Sequence, residues 1–244
     1  FYLKIQKFID WLFFIPVGFA TIIWLRLLRQ HRFLHLKESR ELYYRVTAKK
    51  RPTMICANHL TMFDSIYIHY AFSGVLGYIT SFRHFAWNVP AVETFKTTVF
   101  LKILTYLGKC IPIDRNGTPE HHKNILDKLK FLLESGESVM IFPEAGRSRT
   151  GLVEVENVAY GIGNILKELK DYQVVCVYMR GSTQNKHTPL PAHGDEIYFK
   201  AEMIEPKTAS TGIRAARDIS VQIITKLKEM ENEYFALYPE RLPR

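Results

Sequence analysis

Apolar and polar positions along this chain change period several times, and each change predicts an element. The first is the run WLFFIPVGFATIIWL from Trp11 to Leu25, which carries no charge and lies between Asp10 and Arg26. As a helix it extends ~22 Å at ~1.5 Å per residue, short of a ~30 Å hydrocarbon core. It therefore predicts a helix embedded in one leaflet, kinked or broken at Pro16 and Gly18. Tryptophans mark both ends, and Arg26, Arg29, Arg32 and Lys37 follow with His31 and His35 among them, a pattern that anchors a helix at headgroup level. The only cleavage-like positions fall inside the apolar run, so it does not read as a secretory signal. The competing reading is a buried core helix.

Next, ESRELYYRV reads as a short amphipathic helix leading into the charged turn AKKRP. TMICA has the length of a strand, and in DSIYIHYAF the apolar residues recur at three and four positions, as in a helix. LGYIT predicts a second strand, AVETFKTTVFLKILTYLG a helix closed by Gly108, and KCIPID a third strand. TPEHHKNILDKLKFLLESG predicts a helix with Thr118 as cap, proline at its first position and a glycine stop. SVMIF then reads as strand, VEVENVAYGIGNILKELK as helix and QVVCVYM as strand. EIYFKAEMI alternates like an edge or antiparallel strand, and a long amphipathic helix runs from about Thr211 to Tyr238. The alternation predicts an α/β fold, a largely parallel or mixed sheet flanked by helices. Residues 1–45 form the expected membrane-anchoring segment and residues 46–244 the α/β domain.

Composition adds two constraints. With 47% hydrophobic residues and no low-complexity tract, the 244-residue chain has enough apolar surface for a full core. Its formal charge of +9 favours an anionic partner: a membrane surface, a phosphorylated substrate or nucleic acid. The apolar anchor and the absence of a recognisable nucleic-acid module count against the last. Cys56, Cys110 and Cys176 have no metal-ligand spacing and sit in runs that read as strands, so buried free thiols in a reducing compartment are expected. His121 and His122 are adjacent on a helix and predicted to point to different faces, a poor chelate with His59; no metal is expected.

In open sheets of this kind, functional groups collect beyond the carboxyl ends of strands. Three predicted strands end in such groups: NHLTMFD with Asn58, His59 and Asp64; DR with Asp114 and Arg115; and PEAGRSRTG with Glu144, Gly146, Arg147, Ser148 and Arg149. A histidine can take a proton from a hydroxyl when an acceptor holds its second nitrogen. Asp64 is placed to be that acceptor, and the hydroxyl can belong to the substrate rather than the protein. By itself the spacing is equally that of an aspartate capping its helix beside a histidine in a turn. The arginines and the glycine beyond the other strand suit a phosphate monoester.

In the same order along the chain, NHLTMFD resembles the H-x4-D motif of the glycerolipid acyltransferases, GKCIPIDR their second motif, and FPEAGRS their third, usually F-P-E-G-T-R-S. The resemblance covers roughly Ile55 to Met179. A typical member is a 1-acyl-glycerol-3-phosphate acyltransferase, which moves a fatty acyl group from coenzyme A or acyl carrier protein to a lysophospholipid hydroxyl. Membership implies His59 as base and Asp64 as its orienting partner. It implies Asn58, Arg115, Glu144, Gly146, Arg147 and Ser148 around the acceptor, with no cofactor beyond the thioester co-substrate. Reduced cysteines and the positive-inside bias place the site at the cytoplasmic face of the inner membrane, and backbone N–H groups at the start of the Asp64 helix are the expected oxyanion donors. Two positions depart from the pattern: Ala145 and Gly146 replace glycine and threonine, and Cys176 stands at the usual proline of a fourth motif. Another lysolipid acceptor, or a non-catalytic lipid-binding protein on the same fold, are the alternatives.

Overall fold

The structure, a computed structural model, describes residues 2–94, 98–144 and 146–243. It opens with α1 (Tyr2–Ile23), which continues into a π-helical turn, Trp24–Leu28. Then follow β1 (Arg32–Phe33), α2 (Leu36–Thr47), β2 (Thr53–Ala57), α3 (Asp64–Phe72), α4 (Val75–Thr80) and β3 (Trp87–Asn88). The remainder comprises α5 (Val99–Tyr106), α6 (Pro119–Glu134), β4 (Ser138–Ile141), α7 (Gly161–Leu166), β5 (Gln173–Gly181), β6 (Glu196–Ile204) and α8 (Gly212–Leu237).

Among the described residues, six strands form one mixed sheet in the order β1-β6-β5-β2-β4-β3. Every pairing is parallel except β5 with β6. All residues of β2 are buried because helices cover both faces. Its side chains alternate: Met54 and Cys56 enter the core beneath α6, α7 and α8, while Ile55 and Ala57 enter the one beneath α2, α3 and α4. The second layer closes tightly at α7, where a Cβ on Gly163 would lie 1.9 Å from the Ala216 carbonyl oxygen of α8. Helix α6 starts and stops as its sequence predicts: Thr118 Oγ1 accepts the His121 amide, and Gly136 takes φ +78° after the last turn.

Several elements differ from the sequence reading. LGYIT lies in α4, with Val75 and Tyr78 buried three apart; a five-residue apolar run does not by itself separate strand from helix. KCIPID meets the sheet only through isolated bridges at Cys110 and Ile113, since Lys109 takes φ +50° and Pro112 has no N–H to give a ladder. The short strand there is β3, which its sequence does not announce. Of the helix expected over 91–108, Val99–Tyr106 is α-helical and Val92–Thr94 a 3-10 turn; residues 95–97 lie outside the described residues. The helix expected over 153–170 shortens to α7 and a 3-10 turn at Val155–Asn157, because the Val153 amide is drawn to the Glu231 carboxylate of α8. Strand β6 is antiparallel as expected, but β1 covers its outer side, so it is not the edge. The division expected at residue 45 falls inside α2.

Helix α1 begins at Tyr2, well before the apolar run, and neither Pro16 nor Gly18 breaks it. With its π-helical turn it makes 27 residues, long and apolar enough to cross a membrane. Its outward face is apolar, while its inward face mixes polar residues with Phe14, which packs on Tyr78, Phe82 and Phe85. Gln6 and Asp10 are buried against the domain, and Lys7 is paired with Glu137, whereas Phe8, Trp11, Leu12, Phe13, Ile15, Phe19 and Ile23 face outward. Beneath them, buried Lys109 donates to Glu137 at 2.8 Å and to the Phe82 and Phe85 carbonyls. All three cysteines are free, with Cys56 and Cys176 side by side on β2 and β5.

Candidate active site

The chain leaves β2 at Ala57 and makes a tight turn into α3. Asp64, the first residue of that helix, folds its carboxylate back over the turn. Oδ2 accepts the amides of Leu60 at 2.7 Å and Thr61 at 2.8 Å, and Oδ1 accepts the Thr61 hydroxyl. The same Oδ2 lies 2.9 Å from His59 Nδ1. Asp64 thus braces the turn that leads into the helix and holds the imidazole with one group. Its side chain is 0% exposed and that of His59 18%. With Nδ1 bonded to the carboxylate, the other ring nitrogen, Nε2, bonds to no described residue.

Strand β4 supplies the wall. Phe142, just past its end, stacks on the His59 ring at 4.2 Å between centroids, with planes 20° apart. Glu144 Oε1 accepts the His59 amide at 3.1 Å, and the Ser148 amide donates to the His59 carbonyl at 2.9 Å. His59 is thereby clamped through its own backbone. From beneath, buried Arg180 donates to the Gly151 carbonyl, and Glu231 takes the Val153 amide, so the loop after β4 is pinned at two points.

The other expected residues separate. The Asn58 amide is buried and exchanges both hydrogen bonds with the Met179 backbone, at 2.8 and 2.9 Å; it is a strut between β2 and β5 rather than a group facing a ligand. The Ser148 hydroxyl turns inward to the Leu152 carbonyl. Arg147 and Arg149 are exposed beyond β4, Gly146 has open space where a Cβ would be, and Ala145 lies outside the described residues. Arg115 is exposed on a turn that two histidines fasten to α6: His121 Nε2 accepts the Asp114 amide at 3.1 Å, and His122 Nε2 donates to the Asp114 carbonyl at 2.8 Å. Both histidines thus reach one residue instead of pointing apart. The oxyanion donors expected at the start of α3 are also otherwise engaged. The amides of Leu60 and Thr61 go to Asp64, that of Met62 to the Pro189 carbonyl and that of Phe63 to Thr61 Oγ1.

A family model for acyltransferases matches residues 40–180, from α2 through His59 and Glu144 almost to the end of β5. The chain belongs to the acyltransferase family. Among curated proteins, none matches it. In this acyltransferase the matched segment contains the whole His59–Asp64 turn and the loop that braces it.

Burial pushes the Glu144 carboxyl up to about 8, a shift that the His59 amide opposes and that Glu231, Glu154 and Asp64 reinforce. Between its ordinary value of 4.5 and about 8, the folded chain holds a proton that the unfolded chain has released. Stability from the neutral buried carboxyl is fully present below that window and lost as pH rises through it. Glu144→Gln keeps a carbonyl for the His59 amide and cannot ionise. Thermal melts at about pH 5 and about pH 9 are expected to separate less in the variant than in the native chain. Equal separations would mean that Glu144 ionises freely in the folded acyltransferase.

Proposed function

We propose that this acyltransferase moves a fatty acyl group from an acyl thioester, acyl-coenzyme A or acyl carrier protein, to the free hydroxyl of a lysophospholipid. The acceptor is 1-acyl-sn-glycerol-3-phosphate and the product phosphatidic acid. The observation that carries this reading is the imidazole of His59, held at Nδ1 by a buried carboxylate with Nε2 left free. Nε2 takes the proton from the acceptor hydroxyl as its oxygen attacks the thioester carbonyl. Asp64 keeps the ring in that tautomer and stabilises the imidazolium that forms. Collapse of the tetrahedral adduct breaks the C–S bond, and the proton returns to the leaving thiolate. The protein supplies no nucleophile, so no acyl-enzyme arises.

Arg115 and Arg147 act on the acceptor phosphate, being exposed cations beyond the sheet. Neither is spent on a salt bridge to another described residue. The outward apolar face of α1 supports a membrane reading, in which the helix lies in one leaflet because its opposite face is docked on the domain. Soluble thioester then arrives from the cytoplasm, at the inner face of the plasma membrane, where free thiols such as Cys56 and Cys176 persist. Gly146 removes the hydroxyl that the family motif carries at this position, which favours a second reading with a different lysolipid headgroup.

Thiol release from both donors in detergent, with lysophosphatidic acid as acceptor, tests the proposal. Arg115→Ala and Arg147→Ala are expected to raise KM for that acceptor about ten- to a hundredfold with kcat little changed. Turnover only with lysolipids lacking a phosphate monoester would transfer the assignment to the second reading.

A further inference from the structure

Helix α5 stands apart from the rest of the fold. Among the described α-helices it alone buries no residue. Yet its sequence, VFLKILTY, is almost wholly apolar. Val99 and Phe100 are 71% and 67% exposed, and Ile103, Leu104 and Tyr106 also face outward. Water does not favour a helix in that state; an apolar helix without a protein partner belongs in lipid. Its polar groups are satisfied internally: Thr98 Oγ1 accepts the Leu101 amide, and the Thr105 hydroxyl donates to the Leu101 carbonyl at 2.6 Å. Lys102 is its single charge and is exposed.

The helix is also tied to α1. Gln6 donates to the Tyr106 carbonyl at 3.0 Å and the Cys110 carbonyl at 3.2 Å, fixing the end of α5 against the start of α1. Between the two runs an apolar groove lined by Ile9 and Phe13 of α1 and by Val99, Ile103 and Tyr106 of α5, with Lys102 its one charged member. The exposed apolar face of α1 therefore continues across the groove onto α5. A protein partner would meet almost no polar rim there to hydrogen-bond. Eight residues rise only ~12 Å, far less than a bilayer core, and Lys102 can snorkel to an anionic headgroup.

We propose that α5 is a second membrane-inserting element, a short wedge that enters the same leaflet as α1 and fixes how the catalytic domain sits on the bilayer. The proposal rests on the reading of α1 as membrane-embedded. Two contacts with lipid, one along α1 and one across α5, define a plane; a single helix leaves the domain free to roll about its axis.

The test uses the full chain with an environment-sensitive fluorophore on Phe100→Cys in α5, Phe8→Cys on the outer face of α1, or Phe131→Cys on α6. The vesicles are phosphatidylcholine and phosphatidylglycerol carrying nitroxide-labelled lipid, and the unsubstituted protein measures labelling of its own cysteines. Blue shift and lipid quenching at positions 100 and 8, with none at 131, are expected. Quenching at 8 without quenching at 100 would overturn the role of α5 and leave the α1 reading standing. No quenching at either would overturn both. A concentration-dependent blue shift at 100 in the absence of vesicles would assign the face to a second copy of the chain and overturn the proposal. In parallel, the double variant Phe100→Asp with Ile103→Asp is expected to weaken vesicle partitioning tenfold or more while far-UV circular dichroism is unchanged; unaltered partitioning would also overturn it.

Discussion

His59→Ala is expected to lower kcat for acyl transfer by about 10²–10⁴-fold, the range that a positioned general base contributes. The loss should be confined to chemistry. The contacts that hold the turn run through the His59 backbone, whose amide donates to Glu144 and whose carbonyl accepts from Ser148, and alanine keeps both. Stacking on Phe142 is lost, but the ring is already partly open to solvent. The variant should therefore melt near the native temperature and bind vesicles as before. Thiol release measured at saturating acceptor separates the outcomes: a normal fold with turnover lowered to that extent supports the base, and retention of most activity removes His59 from that role.

Asp64→Asn should be nearly as damaging to turnover and should also cost stability. Four donors converge on the Asp64 carboxylate: the Leu60 and Thr61 amides, the Thr61 hydroxyl and the His59 Nδ1–H. A carboxylate has two acceptor oxygens; an asparagine has one and presents an NH2 to donors on its other side. Whichever way the amide turns, some donors lose their acceptor. Unsatisfied groups of this kind cost about 1–3 kcal/mol each, and the imidazole is free to adopt the wrong tautomer, which in a triad lowers kcat by about 10⁴-fold. The paired measurements are kcat and a urea midpoint. His59→Ala is expected to change only the first, Asp64→Asn both. An Asp64→Asn protein with native kcat would mean that the carboxylate serves only to brace the turn before α3.

That double duty explains why the turn was partly legible. Asp64 stands at the start of an apolar helix, where an aspartate reads as a cap, and His59 stands five before it. One reading is structural and the other chemical; the cap itself does not form, and the carboxylate instead holds the Leu60 and Thr61 amides while facing His59. The strands β2, β4 and β5 are legible because each is a run of apolar residues covered on both faces, and α6 because its cap, proline and glycine all agree. What sequence hides is tertiary. Asn58 sits beside His59 in the chain, but its amide is used by a strand distant in sequence. Glu231, far along α8, holds the loop that carries Arg147, and nothing in its local pattern announces it. Likewise α4 and the segment 109–114 escape the sequence because short apolar runs acquire their conformation from what they pack against. The inward polar stripe on α1 required knowing where Lys109 and Glu137 lie.

That stripe bears on how the chain is made. Lys7 finds Glu137 130 positions later, and Gln6 finds Cys110 104 positions later. At about 5–20 residues per second, the interval between synthesis of Lys7 and of its partner is roughly 7–26 s. Throughout it, α1 is an apolar helix whose polar side chains have nothing to pair with. Such a helix aggregates in water but is tolerated at a lipid surface, where its outer face is satisfied at once. Membrane contact during synthesis would thus act as a holding place, and the docking of Gln6, Lys7 and Asp10 would be among the last steps of folding, dependent on loop closure rather than on local propensity.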